Sequence, residues 1–289
     1  MDKINCKFYS IFMTIKARNN ILRIFVIISA AVLASISFYF ILAYTRGELT
    51  VPQNTERIYK FTKLQKTLLF EYNFNVTVAG IFVLASYVTI TLFILTAGFI
   101  KNQSIELTYF AVFLLGCQVE AVRLLLPTFG IWQTTSSLLI LAGRAVIGAR
   151  VLCPLSMFLS ALFAEAKDST SIERNCLLAL LVSVGIASSI PLDTNITTST
   201  LTVLWGLRKT FLALRIFIMV ITLIAMLINA YQRYSTLYRG IIVGYAIMIT
   251  GYEFLISADC YFLFGVGCLG LILGTIFYLR YIHKIYLWR

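Results

Sequence analysis

Six ionisable residues stand inside long apolar runs of the sequence: Glu120, Arg123, Arg144, Arg150, Arg215 and Glu253. A charge near the centre of a bilayer costs about 2.5–3.5 kcal/mol even on the lenient insertion scale, so such residues face a bundle interior and pair. Glu120 and Arg123 are three apart and share a helix face. Guanidinium groups carry a planar fork of donors that matches carboxylate and phosphate. Four arginines against two glutamates leave two positive charges without an internal partner. A purely structural network should come closer to neutral. The chemistry in view is therefore ion pairing and, through the surplus arginine, recognition of an anion.

Other chemistries lack their residues. The one histidine, His283, lies beyond the last apolar run, so no run holds a His base or a His metal ligand. No lysine lies inside a run, which removes a buried Schiff base. The cysteines Cys6, Cys117, Cys153, Cys176, Cys260 and Cys268 form no C-x-x-C pair. They read as small apolar residues with no disulfide framework, Cys260 alone falling in an outer loop. Asp193 and Asp259 sit at run ends, and no nucleophile arrangement surrounds Glu120 or Glu253. Neither an enzyme nor a cofactor is expected.

The elements that position these charges follow from composition. Of 289 residues, 60% are hydrophobic and 12% charged, against about 25% charged in soluble domains. Mean hydropathy is +0.90. The excess is gathered into eight runs, at 24–44, 76–100, 107–126, 136–163, 176–190, 211–230, 240–256 and 261–279. Backbone groups in hydrocarbon must be satisfied internally, so each run should be a helix. The expected fold is all-α, a polytopic membrane protein with eight transmembrane helices. It divides into a basic N-terminus (1–23), a signal-anchor helix (24–44), an outer loop (45–75), a seven-helix bundle (76–280) and a basic tail (281–289). Cleavage of the first segment is the alternative; it would leave seven helices in the same orientation. Pro154 should bend the fourth run. In the outer loop, Ile58, Phe61, Leu64, Leu68, Leu69 and Tyr72 share one helical arc opposite Lys60, Lys63 and Lys66, as in an interfacial amphipathic helix. Gly240-Ile-Ile-Val-Gly244 and Gly270-Leu-Ile-Leu-Gly274 have the spacing that lets helix backbones approach in lipid.

The formal charge of +12 is first a topology signal. With the N-terminus inside, thirteen lysines and arginines fall in inner segments. Seven fall in outer ones (Arg46, Arg57, Lys60, Lys63, Lys66, Arg208 and Lys209). Both termini are therefore expected in the cytoplasm, with the protein in the plasma membrane. Trp132 and Trp205 would anchor at the outer interface and Trp288 at the inner one. Of the N-x-S/T sequons at Asn75, Asn102 and Asn195, the last falls clearly in an outer loop. The rise of 1.5 Å per residue places Glu120 about 10 Å and Arg123 about 6 Å below the outer boundary. Arg144 then lies about 12 Å deep, Arg150 about 21 Å, Arg215 about 6–8 Å and Glu253 about 5 Å. Matching depth on consecutive helices makes Glu120 and Arg144 the expected ion pair. Arg150, deepest and without an obvious partner, would be the floor of a pocket.

These features suggest a receptor-like or sensory membrane protein with an outward-facing polar cavity for an anionic small molecule or lipid head group. A helix broken at Pro154, after Gly143 and Gly148 and beside Arg150, would instead suit a transporter or channel subunit for an anionic solute. A structural or assembly protein is the third reading: Arg123, Arg215 and Glu253 would snorkel and the remaining pair would be structural. One anchor followed by seven spans is similar, in architecture only, to bacterial seven-span receptor modules. Expected partners are membrane lipid, the anionic ligand and a cytoplasmic signalling partner at 164–174 or the tail, with no nucleic acid and no metal.

Overall fold

The computed structural model describes residues 15–49, 55–56, 69–98, 105–131, 136–164, 172–232 and 236–287. The long helices are α1 (Ile15–Arg46), α2 (Phe74–Gly98), α3 (Ile105–Val119), α5 (Ser136–Leu162), α6 (Ile172–Ser189), α7 (Arg208–Gln232), α8 (Thr236–Ile256) and α9 (Tyr261–Leu287). A 3-10 turn over Glu120–Leu124 and a short α4 (Leu125–Phe129) prolong α3. Eight helical stretches are long and apolar enough to cross a membrane, and each overlaps one apolar run of the sequence.

Between Ile105 and Phe129 the helix does not stop at Pro127. Proline has no N–H to give the carbonyl four residues back, that of Arg123. The chain tightens to 3-10 geometry just before it, and the N–H of Leu125 bonds to the Arg123 and Val122 carbonyls. The helix then ends at Gly130, whose φ of 57° is left-handed and suits glycine.

The segment between α6 and α7 departs from the all-helical expectation. Leu192–Thr198 (β2) and Val203–Trp205 (β3) form an antiparallel hairpin, and Thr55–Glu56 (β1) pairs parallel to β2 with Thr55 opposite Thr197. The physical reason is local: Thr194, Ile196, Thr197, Thr198, Thr200, Thr202 and Val203 are β-branched and favour an extended backbone. The tip is turned inward, and residues 198–203 are all buried. Irregular backbone in such a place needs partners inside the protein. Thr198 N–H donates to the Thr202 carbonyl at 2.8 Å, and Leu201 N–H donates back to that of Thr198 at 3.1 Å. Thr77 Oγ1 donates to the Ser199 carbonyl at 3.3 Å, and Ser199 Oγ donates to the Asp259 carboxylate at 2.9 Å. Asn73 N–H bonds to the Asp259 carbonyl at 3.0 Å, so the start of α2, the hairpin and the α8–α9 connection share one end of the bundle, the hairpin end.

The outer-loop amphipathic helix expected over 56–72 falls mostly on residues outside those described. Glu56 stands in β1, and Leu69 already lies beside α9, its carbonyl accepting from Phe262 N–H at 3.1 Å.

The core is aromatic. Phe110, Phe113, Tyr245, Tyr252 and Tyr278 are fully buried between α3, α8 and α9, and Tyr109, also buried, accepts from Asn175 of α6 at 3.3 Å. The glycine spacings do what they suggest: a Cβ on Gly244 would meet the Tyr278 backbone at 2.6 Å, and one on Gly274 the Met248 backbone at 2.3 Å. Gly251 and Gly267, outside either spacing, make equally close approaches to Leu271 at 2.3 Å and Leu255 at 2.7 Å. Helix α1 is tied in by Ser29, which hydrogen-bonds Thr89 at 2.8 Å and Gln118 at 3.2 Å.

Candidate functional site

The 3-10 turn that Pro127 induces carries Glu120 and Arg123 into the bundle, and both are buried, as is Arg150 of α5. Arg150 grips the Glu120 carboxylate with both arms of its fork, Nε to Oε1 at 2.8 Å and Nη2 to Oε2 at 3.1 Å. Arg123 Nη1 adds a third bond to Glu120 Oε2 at 2.9 Å. The rest of the Arg123 fork caps the hairpin: Nε donates to the Thr200 carbonyl at 2.8 Å, and Nη2 donates to the same oxygen. One carboxylate thus holds two guanidinium groups, and one of them holds the hairpin tip.

The expected Glu120–Arg144 pair is not formed. Arg144 is exposed and has no ion pair among the described residues, whereas Arg150 takes Glu120. The reason is helix face rather than depth. Arg144 and Arg150 are six residues apart on α5, about 240° around the axis at 3.6 residues per turn, so the rotation that sets Arg150 among buried neighbours leaves Arg144 exposed. Arg150 is therefore not an unpartnered floor, and Arg123 and Arg215 do not snorkel, since both are buried.

Arg215 and Glu253 form a second ion pair, joining α7 to α8 through Nη2 and Oε1. The Glu253 side chain is 22% exposed, unlike the other carboxylate of the network. The two pairs are linked by aromatic rings. Arg150 lies over Trp205 at 5.3 Å from the ring centroid, Trp205 meets Phe211 edge-on at 6.1 Å, and Arg215 lies over Phe211 at 5.7 Å. Trp205, expected as an interfacial anchor, is instead buried beneath a guanidinium at the end of β3. Trp132 and Trp288 lie outside the described residues. Tyr252, whose ring meets that of Phe113 edge-on at 5.6 Å, stands close to Glu120, Arg150 and Arg215.

The charge count also changes. Arg144 leaves the interior, and Asp259, read as a helix-end residue, is buried beneath the hairpin. Among the described residues the interior of the hairpin half then holds Arg123, Arg150 and Arg215 against Glu120, Glu253 and Asp259, with no surplus of positive charge.

Hydrogen bonding is less even. Arg215 Nε, Trp205 Nε1 and the Tyr252 hydroxyl are buried and have no hydrogen-bond partner among the described residues. Arginine and tryptophan are donors only, so what would satisfy them must bring lone pairs. Buried polar groups are nearly always paired, which makes three orphans around one pair of guanidinium groups a feature to explain. Deeper in the bundle, Cys117 and Cys153 are free thiols with sulfurs 3.9 Å apart. Among the described residues no group of three His, Cys, Asp or Glu could hold a metal ion.

Of the residues singled out by their charge within apolar runs, the structure brings Glu120 together with Arg123 and Arg150, and Arg215 with Glu253. Sequence reasoning missed Thr200, Trp205, Tyr252 and Asp259. The β-branched stretch at 194–203 was the available signal for the first two, since it marks a strand pair rather than a loop. Against protein-family models, curated proteins and solved structures, the chain matches none.

Proposed function

We propose that the chain is an integral membrane protein, both termini in the cytoplasm, that binds an anionic ligand in its hairpin half and acts as a receptor-like or sensory module. The observation carrying this reading is the set of orphan donors Arg215 Nε, Trp205 Nε1 and Tyr252 Oη around the Arg150 and Arg215 guanidinium groups. A carboxylate or phosphate supplies the lone pairs those donors lack and suits the arginine fork. Glu253 is the natural competitor. It is the partly exposed member of its pair, and a ligand acid that takes Arg215 releases it. Binding would thereby exchange an α7–α8 tie for a ligand bond, and so bias the packing of two helices. Glu120 has no such freedom; three guanidinium bonds hold it, and its role is structural.

The test is the melting temperature of the purified chain with acetate, inorganic phosphate or chloride at constant ionic strength. Acetate or phosphate should stabilise beyond chloride, by mass action on the folded state. Arg215→Gln should abolish the shift, and Glu253→Gln should enlarge it by removing the competitor. A flat response in all three proteins overturns the reading. The balanced count of three arginines and three acidic residues favours the structural or assembly alternative, for which that flat response is the expected result.

A further inference from the structure

Helices α6 and α7 flank an apolar groove of about 470 Å³, lined by Val182, Gly185 and Ile186 on α6, by Phe211 and Leu214 on α7 and by Leu207 just before α7. Much of that lining is outward-facing: Val182 and Leu207 are 49% and 63% exposed. The groove's inner wall is the feature that matters. Phe211 is buried, belongs to the same apolar cluster as Trp205, Ile190 and Val151, and is the ring on which the Arg215 guanidinium rests. An apolar slot and a set of orphan donors are therefore separated by one aromatic side chain.

We infer that the ligand is a single-chain anionic amphiphile, a fatty carboxylate or alkyl phosphate, that enters sideways between α6 and α7. Its tail lies along Gly185 and Leu214, and its acid reaches Arg215 and Trp205 past the edge of Phe211. The inference rests on the anion reading above and adds the tail. Both parts have a motive in the structure. The groove offers no charged side chain for a small hydrophilic ion, and its apolar walls sit within two membrane-length helices. The donors behind it, in turn, would gain nothing from a neutral chain. A neutral lipid tail would fill the groove and leave Arg215 Nε and Trp205 Nε1 unpaired.

The experiment uses the full chain in phosphatidylcholine nanodiscs, with Trp132→Phe and Trp288→Phe so that Trp205 is the sole indole. The probe is 4,5-dibromostearate, whose bromines lie close enough to the acid to quench an indole that the acid touches, compared with the equivalent brominated stearyl alcohol. The acid should quench Trp205 saturably and bind about tenfold or more tightly than the alcohol. Gly185→Phe fills the groove without a backbone clash, because a Cβ there meets nothing within 4 Å. It should weaken the acid by a similar factor while leaving the acetate-induced melting shift in place. Arg215→Gln should reduce the acid to the level of the alcohol; Arg215→Lys, which keeps a charge opposite Glu253 but loses the fork, should do most of the same. Quenching unchanged by Gly185→Phe overturns the groove and leaves the anion site. Quenching unchanged by both Arg215 variants overturns the anion site, and the acid's role with it.

Discussion

At the scale of single residues, the decisive contact is the fork between Arg150 and Glu120. Both side chains are almost wholly buried. Two charges in such a place are costly to desolvate, and their attraction roughly offsets that cost only while both are present. Removing one leaves an uncompensated charge that costs about 3–5 kcal/mol. Glu120→Gln and Arg150→Gln should each therefore destabilise strongly, and Glu120 should be the worse of the two. Its loss strands both Arg150 and Arg123, and Arg123 still has the Thr200 carbonyl. The double variant Glu120→Gln/Arg150→Gln should be markedly less destabilised than the two singles added together, a coupling that a double-mutant cycle of thermal or denaturant unfolding measures. Additive losses would mean the two groups are independent. Arg144→Gln is the counterpart: exposed and without an ion pair among the described residues, it should shift stability by no more than about 0.5 kcal/mol in the same assay.

At the scale of elements, the α8–α9 pair is held by backbone contact rather than by side-chain interdigitation. A Cβ on Gly251 would come within 2.3 Å of Leu271 N, and the obstacle is main chain, which cannot swing aside as a flexible side chain can. Gly251→Ala and Gly274→Ala should each force the helices apart, with losses at or above the roughly 1–3 kcal/mol of ordinary overpacking. Gly265 lies on the same helix with nothing within 4 Å of its Cβ. Gly265→Ala should instead stabilise by about 0.5–1 kcal/mol through helix propensity, measured by the same unfolding curves. The contrast tests contact against composition. It also marks how far the elements were legible. All eight membrane-length helices follow from runs of apolar residues, because satisfying the backbone in an apolar medium leaves few alternatives. The glycine spacings predict close packing, but the partner positions Gly251 and Gly267 depend on axial register between helices, which no local pattern encodes. Pairing of Glu120 with Arg150 likewise needed more than a local pattern. A depth scale says nothing of which face of α5 each arginine occupies, and depth alone points to Arg144, which is exposed, rather than to Arg150, which is buried. The hairpin was written locally, in its threonines, yet the apolar pattern of its flanks drew the segment into a loop between helices.

At the scale of the whole molecule, the buried charges, the hairpin and the orphan donors all gather in one half, and the question is which side of the membrane that half meets. Lysine and arginine retain segments on the cytoplasmic face. Thirteen lie in segments on the side of the termini and seven on the side of the hairpin. The hairpin end should accordingly face outward, and an even number of crossings would put both termini inside. Two exposed positions separate the cases: Asp193 in β2 at the hairpin end, and Arg280 in the last turns of α9 at the opposite one. In cells expressing a Cys6→Ser background, Asp193→Cys should react with a membrane-impermeant maleimide, and Arg280→Cys should react only after permeabilisation. The reverse pattern would invert the orientation and put the proposed ligand acid in the inner half of the bilayer. Labelling of both in intact cells would break the eight-crossing count itself, since the two positions are separated by the two helices α7 and α8 and by α9, an odd number.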